Sequence, residues 1–462
     1  MTKSSDRAVR APQREAARWL RPALALLAGC GALAAQPGQA MDFEQAYAAA
    51  LRNDALIRAS RAGAEAQRER VPQARSQLLP QIQLSAGRNY NDLTSETPVL
   101  GQPVRTNYHY YSGNQVLSVR QPLYRPAQMA ALRQAEAMVE DAEALLQKDE
   151  QALVVRVGEA YFDVLLAEDQ LELVLAQKTA YTVQLEAARK TFDAGRGTRT
   201  DVDEAQARLD MTLALELETR QNRESTRHRL QTLVGSEIFD NLSTLDTAAF
   251  SPQAPVPDSV DAWIARAEAT SPELQSLRAQ VEVAREEVAR ASAGHKPTLD
   301  VVAQWSRSNS DSVTNVRSRY DNKVIGLQLN VPLYSGGYVS STVRQAVASQ
   351  TRAEEMLEAT RRDLAVRVRL QFRGMTEGAA RIAALEQAVR SAEQAVLSNQ
   401  KSFEAGIRTT VDVLNAEQQR TQALRDLAQA RYRYVLSRLQ LQALAGDDRG
   451  AAVSVVNSWL TR

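Results

Sequence analysis

No proline interrupts the chain between Pro126 and Pro252, and none follows Pro332. Inside both stretches apolar side chains recur at alternating spacings of three and four. One run is Ile382, Leu385, Val389, Ala392, Val396, Asn399 and Phe403; the other is Leu171, Val174, Lys178, Tyr181, Leu185, Ala188 and Phe192, with Lys178 as its flaw. A seam of this period holds helices side by side in a supercoil. A helix over residues 127–193, at ~1.5 Å per residue, would span ~100 Å. No compact globular domain accommodates such a rod, so the fold has to be elongated.

Composition agrees. Ala, Leu, Gln, Glu and Arg are abundant, as long helices require, and only 5% of the 462 residues are aromatic. The net charge of +1 argues against nucleic-acid binding, which needs a basic patch. His109, His228 and His295 lie far apart without metal-ligand spacing. No nucleophile elbow, metal cluster or phosphate loop is present, so neither an enzyme nor a cofactor is expected.

The N-terminus reads as an export leader. Arg7, Arg10, Arg14, Arg18 and Arg21 precede a short apolar run at residues 23–35, and Gly38-Gln39-Ala40 offers small residues for a cut after Ala40. The run is too short to span a bilayer as a helix. Leu27-Ala28-Gly29-Cys30 would alternatively suit a lipoprotein signal with acylated Cys30. The cut after Ala40 is preferred because it falls directly before the first helical pattern.

The remainder contains two copies of one unit. LLPQIQLSAG from Leu78 aligns with HKPTLDVVAQ from His295, QPLY at Gln121 with VPLY at Val331, and LVVRVGEAYF at Leu153 with LAVRVRLQFR at Leu364. FDAG at Phe192 aligns with FEAG at Phe403, and LVG at Leu233 with LAG at Leu444, all in the same order. The units are residues 41–235 and 259–446, joined by a polar, proline-containing linker at 236–258 and followed by a tail at 447–462. The first is expected to hold a helix broken near Pro72, strands at about 80–90 and 114–123, a long helix at about 127–193 and a return helix at about 198–234. The second should hold strands at about 298–306 and 323–333, a long helix at about 338–404 and a return helix at about 409–445.

The strands alternate with period two. Ile82, Leu84 and Ala86 oppose Gln81, Gln83 and Ser85; Leu299, Val301, Ala303 and Trp305 oppose Asp300, Val302, Gln304 and Ser306. A sheet covering a core would show this pattern, and so would a membrane barrel with lipid outside and water inside. Flanking rods offer no covering layer, and runs of roughly ten residues match a tilted membrane strand. Tyr90, Tyr108, Tyr110, Tyr111 and Trp305 are expected at or near strand ends as interfacial aromatics, and Asn91 to Asn107 as an extracellular loop. Four strands cannot close in lipid, where the smallest barrels have about eight, so copies must share one barrel. Three copies would supply twelve.

Each long helix ends at a glycine, Gly195 or Gly406, suited to a left-handed C-terminal turn. Thr198-x-x-Asp201 and Thr409-x-x-Asp412 then read as capping boxes that restart the chain as a returning helix.

The duplicated order of strand, strand, PLY, long helix, FxAG turn, T-x-x-D-V and shorter helix resembles the TolC family of outer-membrane efflux proteins over essentially the whole mature chain. The most specific words are LLP at Leu78 and AGIRTTVDVLNAEQ at Ala405. The resemblance implies a mainly α fold with β: a homotrimeric twelve-stranded outer-membrane β-barrel continuing into a periplasmic α-helical barrel. An equatorial belt is expected from residues 42–52, 236–270 and the tail. The implied role is the exit duct of a tripartite system with a periplasmic membrane-fusion adaptor and an inner-membrane ABC or proton-driven transporter. Type I protein secretion is preferred over multidrug efflux, because the mature chain begins with a DFEQAYAAAL helix as in non-lipidated members. A periplasmic coiled-coil adaptor is the alternative of another class; adaptors lack duplicated strand pairs. Carried over by position, Asp201 and Arg408 would form an interhelical salt bridge at a closed periplasmic tip, and Asp412 would line the constriction. Ala194, Gly195, Arg196, Ala405, Gly406 and Ile407 would meet the adaptor. Two positions depart from the family pattern: Asn415 stands where a second lumen acid is found, and Phe403 where a gating Tyr is found.

Overall fold

The computed structural model describes residues 40–99, 101–235, 241–310 and 318–461. The expected leader through residue 39, with Cys30, and residues 236–240 of the expected linker lie outside the described residues.

Three short helices open the described residues: α1 (Phe43–Asn53), α2 (Ala55–Arg68) and α3 (Arg70–Ser76). The α2–α3 break comes at Glu69, three residues before Pro72, whose ring would crowd the Arg68 carbonyl and which brings no N–H. The hairpin β1 (Gln81–Val99) and β2 (Gln102–Tyr124) follows, then α4 (Pro126–Asp193) and α5 (Arg199–Val234). After an irregular crossing come α6 (Val260–Thr270) and α7 (Pro272–Ser292), then β3 (Thr298–Asn309) and β4 (Arg319–Asn330). The chain ends with α8 (Tyr338–Glu404), α9 (Thr410–Leu444) and α10 (Arg449–Asn457).

With 68 residues, α4 is about 100 Å long. It passes through three environments. Its first part runs antiparallel to α2–α3 and α7, tied by Ser60–Asp149, Arg68–Glu143, Lys148–Glu273 and Arg133–Glu286. Its middle is the most buried: Leu153, Val154, Val157, Ala160, Tyr161, Phe162, Val164 and Leu165 are each at most 2% exposed. Its last part pairs with α5, as α8 pairs with α9.

The central core explains why three peripheral segments converge. Phe43 of α1 stacks against Tyr161 and Phe162, and Phe250 and Tyr434 pack on Trp459. Short bridges join Met41 to Leu242 and Leu245 to Leu460. The Tyr161 hydroxyl lies 3.0 Å from the Met41 carbonyl and 2.8 Å from that of Ser243. The Met41 carbonyl already accepts from the Ser243 N–H at 3.0 Å, so the hydroxyl matters most to the Ser243 carbonyl, which irregular chain would otherwise leave unpaired.

The sheet is antiparallel, in the order β1-β2-β3-β4. Ile82, Val119, Ala303 and Ile325 stand opposite one another in one row, and Gln121, Val301 and Leu327 in another on the same face. This face is exposed: Ile82, Leu84, Ile325, Leu327 and Leu329 are all open to the surroundings. Within the chain β1 and β4 are edges.

The strands differ from expectation at both ends. The supposed loop from Asn91 to Asn107 is paired residue by residue up to Val99 and Gln102, and turns at Gly101. Tyr90, Tyr108, Tyr110 and Tyr111 therefore lie inside long strands instead of at their ends. Polar residues on both faces read as loop, but a hairpin wetted on both sides needs no apolar face. β4 stops at Asn330 instead of about 333, just before Val331 and Pro332, which offers no N–H to a ladder. Pro122 stays within β2 because the register slips there, between Pro122 and Tyr124.

Where strands become helices, Asp300 gathers two arginines. Its carboxylate accepts from Arg120 Nε at 2.9 Å and from Arg125 Nε at 2.9 Å, and its side chain is 3% exposed. Arg120 belongs to β2 and Arg125 directly precedes α4, so one carboxylate fixes the exit angle of the long helix. No described helix is long and apolar enough to cross a membrane.

Candidate functional site

The two α-helical hairpins end in matching turns. Gly195 has φ +71° and Gly406 φ +76°. In the first turn the Gly195 N–H reaches the Phe192 carbonyl at 2.8 Å and the Arg196 N–H reaches Thr191 at 2.9 Å. In the second, Gly406 reaches Phe403 and Ile407 reaches Ser402, both at 2.9 Å. These are the two bonds of a Schellman turn, which uses the last orphan carbonyls of the helix. The hydrophobic contact that often accompanies such a turn is missing at the second tip: Ile407 is 78% exposed. Ala194, Arg196, Ala405 and both glycines are also exposed.

Two residues later the chain re-enters a helix through a reciprocal box. The Asp201 N–H donates to Thr198 Oγ1 at 3.1 Å while the Thr198 N–H donates to Asp201 Oδ2 at 3.1 Å. Thr409 and Asp412 repeat this at 3.3 and 2.9 Å, and each Thr hydroxyl also donates to its acid. The Thr409 backbone N–H, then its hydroxyl, hold the Asp412 carboxyl below its ordinary value, and the Arg408 guanidinium adds to this. Arg408 lies 3.5 Å from Asp412. Within one chain the ion partner of Arg408 is thus Asp412; Asp201 is engaged by its cap, and the two are not brought together.

A small apolar cluster binds one hairpin to the other: Tyr181, Leu185 and Ala188 of α4, Val202 and Ala205 of α5, and Leu414 of α9. Arg208 sews the same junction. It donates to Asn415 Oδ1 at 2.9 Å and to the Gln418 amide oxygen, and pairs with Glu204 at 3.0 Å. In the sequence Asn415 stands out only as a missing acid and Arg208 as one more helix charge, because the two residues lie on different helices. Phe403 is half-buried at the end of α8.

The arrangement is a set of weak, water-facing ionic and capping contacts at the far end of two rods.

Comparison with known proteins accords with this geometry. The family described as "Outer membrane efflux protein" matches residues 46–236 and 263–447. The chain is 34% identical over 411 residues to the proteases secretion protein PrtF of Dickeya chrysanthemi, covering 88% of each. It is 35% identical to the alkaline protease secretion protein AprF of Pseudomonas aeruginosa, covering 87% of this chain and 83% of that one. Outer membrane protein TolC of Escherichia coli is 31% identical over 92% of this chain and 86% of its own. Among solved structures, the outer-membrane channel OprN superposes with a TM-score of 0.76 at 18% identity, covering 88% of this chain and 90% of its own, a likeness of fold. The chain belongs to the outer membrane efflux protein family.

Proposed function

We propose that the protein is the outer-membrane exit duct of a tripartite export system in a Gram-negative bacterium, serving type I protein secretion. One observation carries the reading: a four-stranded sheet with an exposed apolar face and two open edges, joined directly to helices about 100 Å long. Open edges are not tolerated in lipid, so the sheet closes only by sharing a barrel with other copies. A homotrimer would give twelve strands, with the two repeats of each chain supplying paired hairpins to a helical tube. Secretion is favoured over drug efflux because two relatives above 30% identity are named for protease secretion.

In this reading the tips lie in the periplasm. Asp201 and Arg408 would meet between neighbouring helices of the closed tube, Asp412 would line the constriction, and the exposed residues around Gly195 and Gly406 would meet a periplasmic adaptor that links to an inner-membrane transporter. Contacts between exposed charges are individually weak, so an adaptor that binds the open form better shifts the population.

The test is fractionation followed by loss of function. A heat-modifiable trimer in outer-membrane fractions, and loss of a secreted protein on deletion of the gene, are expected. A carbonate-extractable periplasmic monomer would overturn the duct, and increased drug susceptibility with an unchanged secretome would move it to efflux.

A further inference from the structure

Beyond the apolar band, at the end of the sheet away from α4 and α8, the outward face changes chemistry within two rows. Ala86, Gln115, Arg307 and Asp321 stand opposite one another, and the next row on that face is Arg88, Gly113, Asn309 and Arg319. Lys323 stands opposite Trp305 in the row beneath. Period-two alternation puts all of these on the face of Ile82, Leu84 and Ile325.

Two of the cations, Arg88 and Arg307, line a hollow, and Arg319 and Lys323 stand beside it on β4. Ala86, Gly87 and Gly113 leave a depression of about 530 Å³ between Arg88 and Arg307, walled by Tyr111 and Asn309. The Arg88 guanidinium lies 5.0 Å from the Tyr111 ring centre, and that of Arg307 5.6 Å from Trp305. Arg307 pairs with Asp321 at 2.9 Å, and Arg319 donates to Asn309 at 3.1 Å. Arg88 has no carboxylate partner among the described residues. Four cations therefore face one carboxylate directly above a lipid-compatible surface.

We propose that this depression binds the phosphate groups of a phosphorylated glycolipid of the outer leaflet, whose acyl chains lie along the apolar rows below. The inference rests on the exit-duct reading, which sets the direction of the sheet in the membrane. Arginine presents a planar fork that fits phosphate oxygens, and stacking on Tyr111 and Trp305 holds the forks at the level where aromatic side chains favour the interface. From Leu84 to Arg88 is roughly 13 Å along the strand, enough to separate a charged headgroup from its chains. The excess of positive charge favours an anion with several phosphates over a zwitterionic phospholipid, which carries its own cation.

The test uses the full-length protein in detergent, with bound lipid counted by native mass spectrometry. The probes are bisphosphorylated lipid A, dephosphorylated lipid A, phosphatidylethanolamine and inorganic phosphate. Bisphosphorylated lipid A should bind, and the variant Arg88→Gln, Arg307→Gln should bind it at least tenfold more weakly while keeping its heat-modifiable oligomer. If that variant does not assemble, Arg88→Gln alone carries the test, because it breaks no ion pair. Equal binding by the variant, equal binding of dephosphorylated lipid A, or displacement by millimolar inorganic phosphate would each overturn the proposal. Binding unaffected by the substitutions in a protein that still fractionates with the outer membrane sinks this inference alone; failure of the wild type to enter that membrane sinks the duct reading.

Discussion

Lys178 of α4 and Glu216 of α5 meet at 2.9 Å across the first helical hairpin, with Glu216 the more enclosed, its side chain 5% exposed. Arg220 approaches the same carboxylate at 2.5 Å from one turn further along α5. Lys178 is the residue that breaks the apolar seam of α4. The break is filled by a charge whose partner sits on the facing helix, and sliding the helices by one turn would separate them. A paired charge in an otherwise apolar seam is well suited to fixing register.

Lys178→Met should therefore destabilise the hairpin more than the pair Lys178→Met, Glu216→Leu. The single change leaves an enclosed carboxylate with Arg220 alone; the double change completes the seam. Thermal unfolding of both variants and of Glu216→Leu alone, followed by circular dichroism in detergent, checks this as a double-mutant cycle. Equal losses from the single and double variants would mean that the pair is mere surface decoration.

A second charged contact makes a pH prediction. Tyr432 of α9 donates to Asp169 of α4 at 2.7 Å. Burial raises the Asp169 carboxyl above its ordinary value, against the opposing pull of that hydrogen bond, while Glu172 and Glu168 push the same way and Arg431 pulls it down. The folded state thus holds the proton more tightly than the unfolded chain. The contribution of Asp169 to stability is complete below the unfolded value and is lost as pH rises through the raised folded one. Asp169→Asn retains an acceptor and removes the buried charge. It should unfold at a higher temperature than wild type near neutral pH, with the difference vanishing as pH falls below the ordinary carboxylate range.

The belt around the middle of the molecule depends on Tyr161. Its ring is fully buried, and its hydroxyl donates to the Ser243 carbonyl at 2.8 Å, beside the Met41 carbonyl. Tyr161→Phe keeps the packing and strands the Ser243 carbonyl, at a cost of about 1–3 kcal/mol. Equilibrium unfolding in urea would register it as a lower midpoint with an unchanged slope. Hydrogen exchange should quicken first in residues 41–43 and 241–246, the strips this hydroxyl holds.

The rods were legible because periodicity and absence of proline are local signals summed over dozens of residues. The turn chemistry was legible for the same reason: Gly195, Thr198 and Asp201 act on backbone within a few positions. What escaped was set by partners distant in sequence. Nothing near Asp300 announces that Arg120 and Arg125 converge on it, though a lone acid in the alternation of β3 was a clue. Arg208 looked like an ordinary helix surface charge until α9 brought Asn415 against it. The β1–β2 arm was missed because a strand wetted on both faces carries no alternation to read.

The tip makes the last prediction. Arg408 and Asp412 are both solvent-accessible and 3.5 Å apart, so their attraction is screened by salt. Asp412 also caps α9, whereas Arg408 has no capping duty, so substituting each separates the roles. Arg408→Ala should leave hairpin stability nearly unchanged and raise single-channel conductance in planar bilayers, if Arg408 links neighbouring helices of a closed tube. Asp201→Ala should raise conductance too, but it also removes half of a capping box. Thr409→Ala should loosen the start of α9 by about 1 kcal/mol while moving conductance less than Arg408→Ala does. The conductance ratio of Arg408→Ala to wild type should shrink as salt rises, since salt weakens the same contact. Unchanged conductance in both Asp201→Ala and Arg408→Ala would remove these residues from the gate and leave them as helix-terminal surface charges.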